Sequence, residues 1–127
     1  MKKLIIILAL LILPVQAEAW SRADTIFQLA YTTLHVVDWG QTRYVTKNYN
    51  RFHETNIVLG ESPSIGQVNT YFLTTLIGHG IVSYFLPDKV VVFDLKFNPR
   101  RIWQTVSIGI EIKHVVNNFS VGVKMSF

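Results

Sequence analysis

Between Asp24 and about Tyr44 the apolar residues recur at Ile26, Leu29, Ala30, Leu34 and Val37. Steps of three and four predict an amphipathic helix. Ser21, with Asp24 three residues on, has the form of a capping box at its start. The same spacing predicts another helix from Ile102 to about Asn117. Between the two, Ser62 to Pro87 runs for 26 residues without Asp, Glu, Lys or Arg. Within it, Tyr71 to Leu86 is apolar apart from Thr74, Thr75, His79 and Ser83. A buried helix of a protein in water normally keeps a polar face, so this stretch is read as a membrane span, which takes about 20 apolar residues. Gly78 and Gly80 beside His79 would let another helix come close.

The remaining segments read as connections. Lys47 to Pro63 is polar and rich in turn residues, and predicts a loop. Asp88 to Arg101 is a connector in which Val90 to Phe93 forms a short strand and Asn98-Pro99 breaks the chain before the last helix. In the tail, Phe119 to Phe127, the residues Val121, Val123, Met125 and Phe127 alternate with Ser120, Gly122, Lys124 and Ser126, which is strand periodicity. The expected fold is all-α: a small helical membrane bundle of about three helices over residues 20–127, ending in a short extended tail. A small outer-membrane β-barrel is the alternative, since Gly122, Met125 and terminal Phe127 resemble a last barrel strand. A barrel needs at least eight alternating strands of about ten residues, and Ser62 to Pro87 does not alternate.

Residues 1–19 have the features of a removable leader. Lys2 and Lys3 precede ten unbroken apolar residues, Leu4 to Leu13, and Ala17-Glu18-Ala19 offers the small residues a signal peptidase reads. Ten apolar residues are about half a bilayer span. Export with cleavage after Ala19 is therefore expected, placing the protein in the cell envelope, with the inner membrane preferred and the outer membrane as alternative.

Composition narrows the chemistry. Half of the 127 residues are hydrophobic and 16% are charged, which excludes a disordered tail protein. Net charge is +4, but the basic residues are scattered, so no nucleic-acid partner is expected. Cysteine is absent from the sequence, which removes disulfides, thiolate metal sites and cysteine nucleophiles. The sequence has no Gly-x-Ser-x-Gly, His-Glu-x-x-His or Gly-rich phosphate loop, and no enzyme activity is expected.

Two polar seams need a reason. Gln104, Ser107, Glu111, His114 and Asn118 share one face of the last helix, and Gln28, Thr32, His35, Asp38 and Thr42 fall near one face of the first. His79 adds a polar group to the middle helix. In a membrane such residues face other helices, water or a ligand. They either hold the helices together, or form an Asp/Glu/His path through Asp38, His79, Glu111 and His114 that handles an ion or small molecule. Glu111 and His114 have the Glu-x-x-His spacing of di-metal bundles. That chemistry needs a second such motif and more carboxylates than Asp38 and Glu54, so neither a metal nor any other cofactor is expected.

Three blocks carry a resemblance: Asp38-Trp39-Gly40-Gln41-Thr42-Arg43, Glu54-Thr55-Asn56-Ile57-Val58-Leu59-Gly60, and Tyr71-Phe72. They resemble a group of uncharacterised small membrane proteins of Gram-negative bacteria and their phages, with a D-W-x-Q-T and then an E-x-N-P-x-L-G pattern. They are more distantly similar to DUF5658-type membrane domains. Ile57 stands where the group has proline. The resemblance implies no known activity, but it marks Asp38, Gln41, Arg43, Glu54, Asn56 and Glu111. Arg43 with Asp38 and Glu54 would form a charged latch between loop and bundle, with Asn56 capping the loop. The expected role is a non-enzymatic envelope protein acting through membrane lipids, a protein partner or a second copy of itself. Were the gene phage-borne, the role would be host-envelope modification or superinfection exclusion.

Overall fold

A computed structural model describes residues 20–127; the leader expected over residues 1–19 lies outside the described residues. The order is helix α1 (Arg22–Lys47), helix α2 (Ile65–Phe85), strands β1 (Val90–Val92) and β2 (Leu95–Phe97), and helix α3 (Pro99–Ser120). Each helix starts where local chemistry satisfies its free backbone N–H groups. Ser21 Oγ accepts from the Asp24 N–H at 3.1 Å while Asp24 Oδ2 accepts from the Ser21 N–H at 2.9 Å. Ser64 and Gln67 form the same reciprocal box ahead of α2. Asn98 caps α3, with Pro99 in its first turn. The chain is mostly helical, as expected.

The middle helix is less apolar than its expectation as a membrane span. Among the described residues, no helix is long and apolar enough to cross a membrane. The reason is in α2 itself: Gln67, Asn69, Thr70, Thr74, Thr75, His79 and Ser83 interrupt its apolar residues almost every turn. The described residues also hold only two strands, of three residues each, rather than the eight of the barrel alternative.

The connector after α2 is a hairpin. β1 pairs antiparallel with β2, Val90 opposite Phe97 and Val92 opposite Leu95. Phe93 and Asp94 link them with φ of 48° and 65°, the positive values that a two-residue turn needs to match strand twist.

The tail is not a strand among the described residues. α3 continues to Ser120, Gly122 turns the chain at φ +87°, and the last residues fold back onto α1. The Ser126 N–H donates to the Gly40 carbonyl at 2.9 Å. Arg43 Nε donates to the Ser126 carbonyl at 3.1 Å and Lys47 Nζ to Ser126 Oγ at 2.7 Å. Alternation alone supplies no neighbouring strand, so the backbone groups of the tail pair with α1 instead.

α1 is the central helix: α2 and α3 both pack on it and touch each other sparingly. Among the described residues ten polar or charged side chains are buried, against six hydrophobic ones and Pro63. Ile26, Leu29, Leu73, Ile77, Ile81, Val106, Ile110 and Val116 are exposed. The interior is rich in polar groups and much of the outer helix surface is apolar, with Thr33, Thr74, Thr105, Lys113 and His114 exposed among it.

Candidate functional site

His35 is where the three helices meet. It lies one turn after Tyr31 on α1, ring stacked on ring at 5.1 Å between centroids. Its Nδ1 is 2.7 Å from Glu111 Oε1 on α3. Its Nε2 is 3.1 Å from the Phe72 carbonyl and 2.9 Å from Thr75 Oγ1, both on α2. Thr75 Oγ1 itself donates to the Tyr71 carbonyl at 2.8 Å. Both ring nitrogens therefore face acceptors, an arrangement that the doubly protonated ring satisfies. In that state His35 and Glu111 form a buried ion pair.

Toward the start of α1, a second histidine extends the stack. The His79 ring lies against Tyr31 at 3.5 Å with an interplanar angle of 12°, and against Trp103 at 5.2 Å. Its Nδ1 is 3.1 Å from Gln28 Oε1 and 3.4 Å from Ser83 Oγ. Among the described residues, His79 Nε2 and Glu111 Oε2 are buried without a hydrogen-bond partner. Both residues line an open groove of about 460 Å³ between α2 and α3, floored by Tyr31 and His35 of α1.

Beyond Glu111 lies a smaller cavity of about 90 Å³. Its walls bring together Asp38, Glu54, Asn56, Glu111, His114 and Asn118, with His35 and Thr42. Asn118 Nδ2 donates to Asp38 Oδ1 at 3.1 Å and to Gln41 Oε1 at 3.0 Å, while Gln41 donates on to the Val115 carbonyl. Glu54 Oε1 accepts from the backbone N–H groups of Thr55 and Asn56, and Asn56 Oδ1 accepts from that of Val58. The two side chains thus shape the loop's own turn. Three carboxylates, Asp38, Glu54 and Glu111, border this one cavity, and like charges held close repel in a low dielectric. His114 sits at its rim, exposed, and among the described residues no three His, Asp or Glu side chains form a metal-binding group.

Arg43 is not the cation of a latch. Among the described residues, the ion pairs are His35 with Glu111 and Asp24 with Arg100 and Arg101. Arg43 instead donates to Asn69 Oδ1, which also accepts from Trp39 Nε1, and to the tail at Ser126. The turn of the 54–58 loop uses Glu54 Oε1 locally, and Asp38 Oδ1 accepts from Asn118 instead.

The strongest charge cluster lies at the opposite end. Asp24 Oδ2 accepts from Arg100 Nη1 at 3.0 Å and Oδ1 from Arg101 Nη2 at 2.8 Å. Arg100 is fully buried and also donates to the Ser83 and Tyr84 carbonyls at the end of α2. Its guanidinium lies over Trp20 at 5.1 Å, and that of Arg101 over Phe27 at 4.0 Å. Sequence reasoning missed this cluster. A signal existed: two arginines in the first turn of α3 oppose the helix dipole and call for a carboxylate partner.

No protein-family model, curated protein or solved structure matches the chain.

Proposed function

We propose that this is a non-enzymatic envelope membrane protein, in which the three helices lie in the bilayer as one bundle and act through lipid and protein contacts. The observation that carries this reading is the inverted partition of side chains. Asp24, His35, Gln41, His79, Arg100, Gln104 and Glu111 are buried, whereas Leu29, Ile77 and Val116 are 60%, 55% and 59% exposed. In water the burial of apolar surface drives folding, and large contiguous apolar surfaces are rare on monomers. Against lipid the same surface is unremarkable, and buried polar groups that bond one another hold helices together.

Mean hydropathy taken along one helix counts inward and outward residues alike. Polar residues that face neighbouring helices therefore lower it without touching lipid. At 1.5 Å per residue, helices of 26, 21 and 22 residues run about 30–40 Å, against a hydrocarbon core of about 30 Å. Charges gather at the ends: Arg22, Arg100 and Arg101 on one side, Arg43, Lys47 and Arg51 on the other. Exposed Lys113 is long enough to carry its ammonium toward the interface.

Membrane fractionation of cells expressing a tagged chain tests this reading. After an alkaline carbonate wash the protein is expected in the pellet, released only by detergent and helical by circular dichroism. Recovery in the wash supernatant would overturn the proposal. A phage-borne role in superinfection exclusion follows only from the sequence resemblance, and would be assayed by phage plating on expressing cells.

A further inference from the structure

We infer that the groove between α2 and α3 is a binding site for a small amphiphile whose head carries a protonated amine on an apolar chain. This goes beyond a lipid- and protein-contact role, and it stands on the groove whether or not the bundle lies in a membrane.

The groove has the size of a ligand site, about 460 Å³, within the usual range of a few hundred to a thousand cubic ångströms. Its walls, including Gly78, Val82, Trp103 and Ile110, are largely apolar. Two of the residues that line it, Glu111 and His79, carry orphaned buried atoms, Oε2 and Nε2. Both residues are more than nine-tenths buried, at 8% and 4% exposure. Leaving a buried polar atom without a partner is costly, about 1–3 kcal/mol each and more for a charged group. Two such atoms along one groove are a feature that a bound donor would resolve.

The chemistry of the atoms selects the head. Glu111 Oε1 already accepts from His35, so Oε2 is the carboxylate's free acceptor. Gln28 Oε1, at 3.1 Å, is a closer partner of His79 Nδ1 than Ser83 Oγ at 3.4 Å, and we assign the neutral ring's proton to Nδ1 on that ground, which leaves Nε2 as an acceptor. Two acceptors repel an anion or a carbonyl and welcome N–H or O–H donors. An ammonium brings three donors and a positive charge to Glu111. Tyr71 and Trp103, which line the groove, supply the aromatic rings that attract a cation. The apolar walls then take the chain attached to the head.

A ligand test with a built-in structural control is available. Gly78 lines the groove and a Cβ added there would meet nothing within 4 Å, so Gly78→Leu narrows the groove from a position with room for the new side chain, and leucine favours helix over glycine. The purified full chain is titrated with octylamine, octanoate and octanol, reading thermal unfolding and tryptophan fluorescence. Octylamine is expected to stabilise the wild type saturably, with tenfold or weaker binding for octanol and none for octanoate. Gly78→Leu should keep the wild-type circular dichroism and lose octylamine binding at least tenfold. Glu111→Gln should weaken octylamine more than octanol. The proposal is overturned by a response shared by all three probes, by an unchanged response in Gly78→Leu, or by no saturable octylamine binding. Competition in mixed micelles then assigns the source. Displacement by phosphatidylethanolamine and not phosphatidylcholine supports the site with an aminolipid as occupant; displacement by neither supports it with a free amine.

Discussion

His35 and Glu111 are 76 positions apart in the chain and meet at 2.7 Å in the centre of the bundle, each more than nine-tenths buried. The contact binds α1 to α3, and the other nitrogen of the same ring binds α1 to α2. A helical bundle with few apolar core residues relies on such bonds to choose one packing among several.

Removing either partner is expected to destabilise strongly, because the other is left buried and unpaired. His35→Ala should lower unfolding free energy by about 3–5 kcal/mol. In the double-mutant cycle with Glu111→Ala, the second substitution should cost markedly less than alone, with a coupling of about 1–3 kcal/mol. Denaturant unfolding followed by circular dichroism reads both numbers, and simple additivity would refute the pairing.

Asp24 serves two structures at once, the cap of α1 and the neutralisation of Arg100 and Arg101. Ser21→Ala removes the cap alone and should cost about 1 kcal/mol. Asp24→Ala also removes the carboxylate shared by buried Arg100 and by Arg101 and should cost about 3–5 kcal/mol. Equal effects of the two substitutions in thermal unfolding would mean the arginines are satisfied elsewhere.

Gly40 is where the tail rests. A Cβ there would lie 2.6 Å from the Phe127 ring and 3.3 Å from Met125 Cβ. Since the nearest atoms are the far end of the Phe127 side chain, Gly40→Ala should displace the tail rather than unfold the helices. Amide exchange at Ser126, whose N–H donates to Gly40, should then quicken several-fold, with unchanged helical circular dichroism. Exchange at the wild-type rate would argue against this packing.

The hairpin turn places Phe93 and Asp94 at positive φ, a conformation that side-chain-bearing residues other than Asn and Asp rarely adopt. Replacing the pair by Asn-Gly should stabilise the hairpin by about 0.5–1 kcal/mol. Amide exchange within Val90–Phe97 should slow by roughly two- to fivefold, at 1.4 kcal/mol per tenfold. Faster exchange would show that the turn is held by something other than its own dihedrals.

The outer face of α2 gives the lipid reading a direct probe. Ile77 is exposed, so Ile77→Asp is harmless to packing. In a bilayer a central charge costs about 2.5–3.5 kcal/mol by insertion scales, and the variant should be lost from the carbonate-washed pellet. Full retention would place this face away from lipid.

Local signals carried much of this protein. The three-and-four spacing of apolar residues in α1 and α3, and the Ser21–Asp24 box, depend only on neighbours within a turn or so. The spacing of Gln104, Ser107, Glu111 and Asn118 put them on one face for the same reason. Asp38, Glu111, His114 and Asn118 were marked by their helix-face spacing and Glu54 and Asn56 by the motif resemblance, and all six line one cavity. Tertiary structure decided everything that depends on how helices cross. It made α1 the central helix and His35 the meeting point, sent Arg43 to Asn69 and the tail rather than to a carboxylate, and gave Asp24 to arginines 76 and 77 residues away. It also turned an alternating tail into an irregular strap on Gly40. Periodicity states which face a residue occupies; the partner across that face is set by the crossing and register of another helix, which no local pattern encodes.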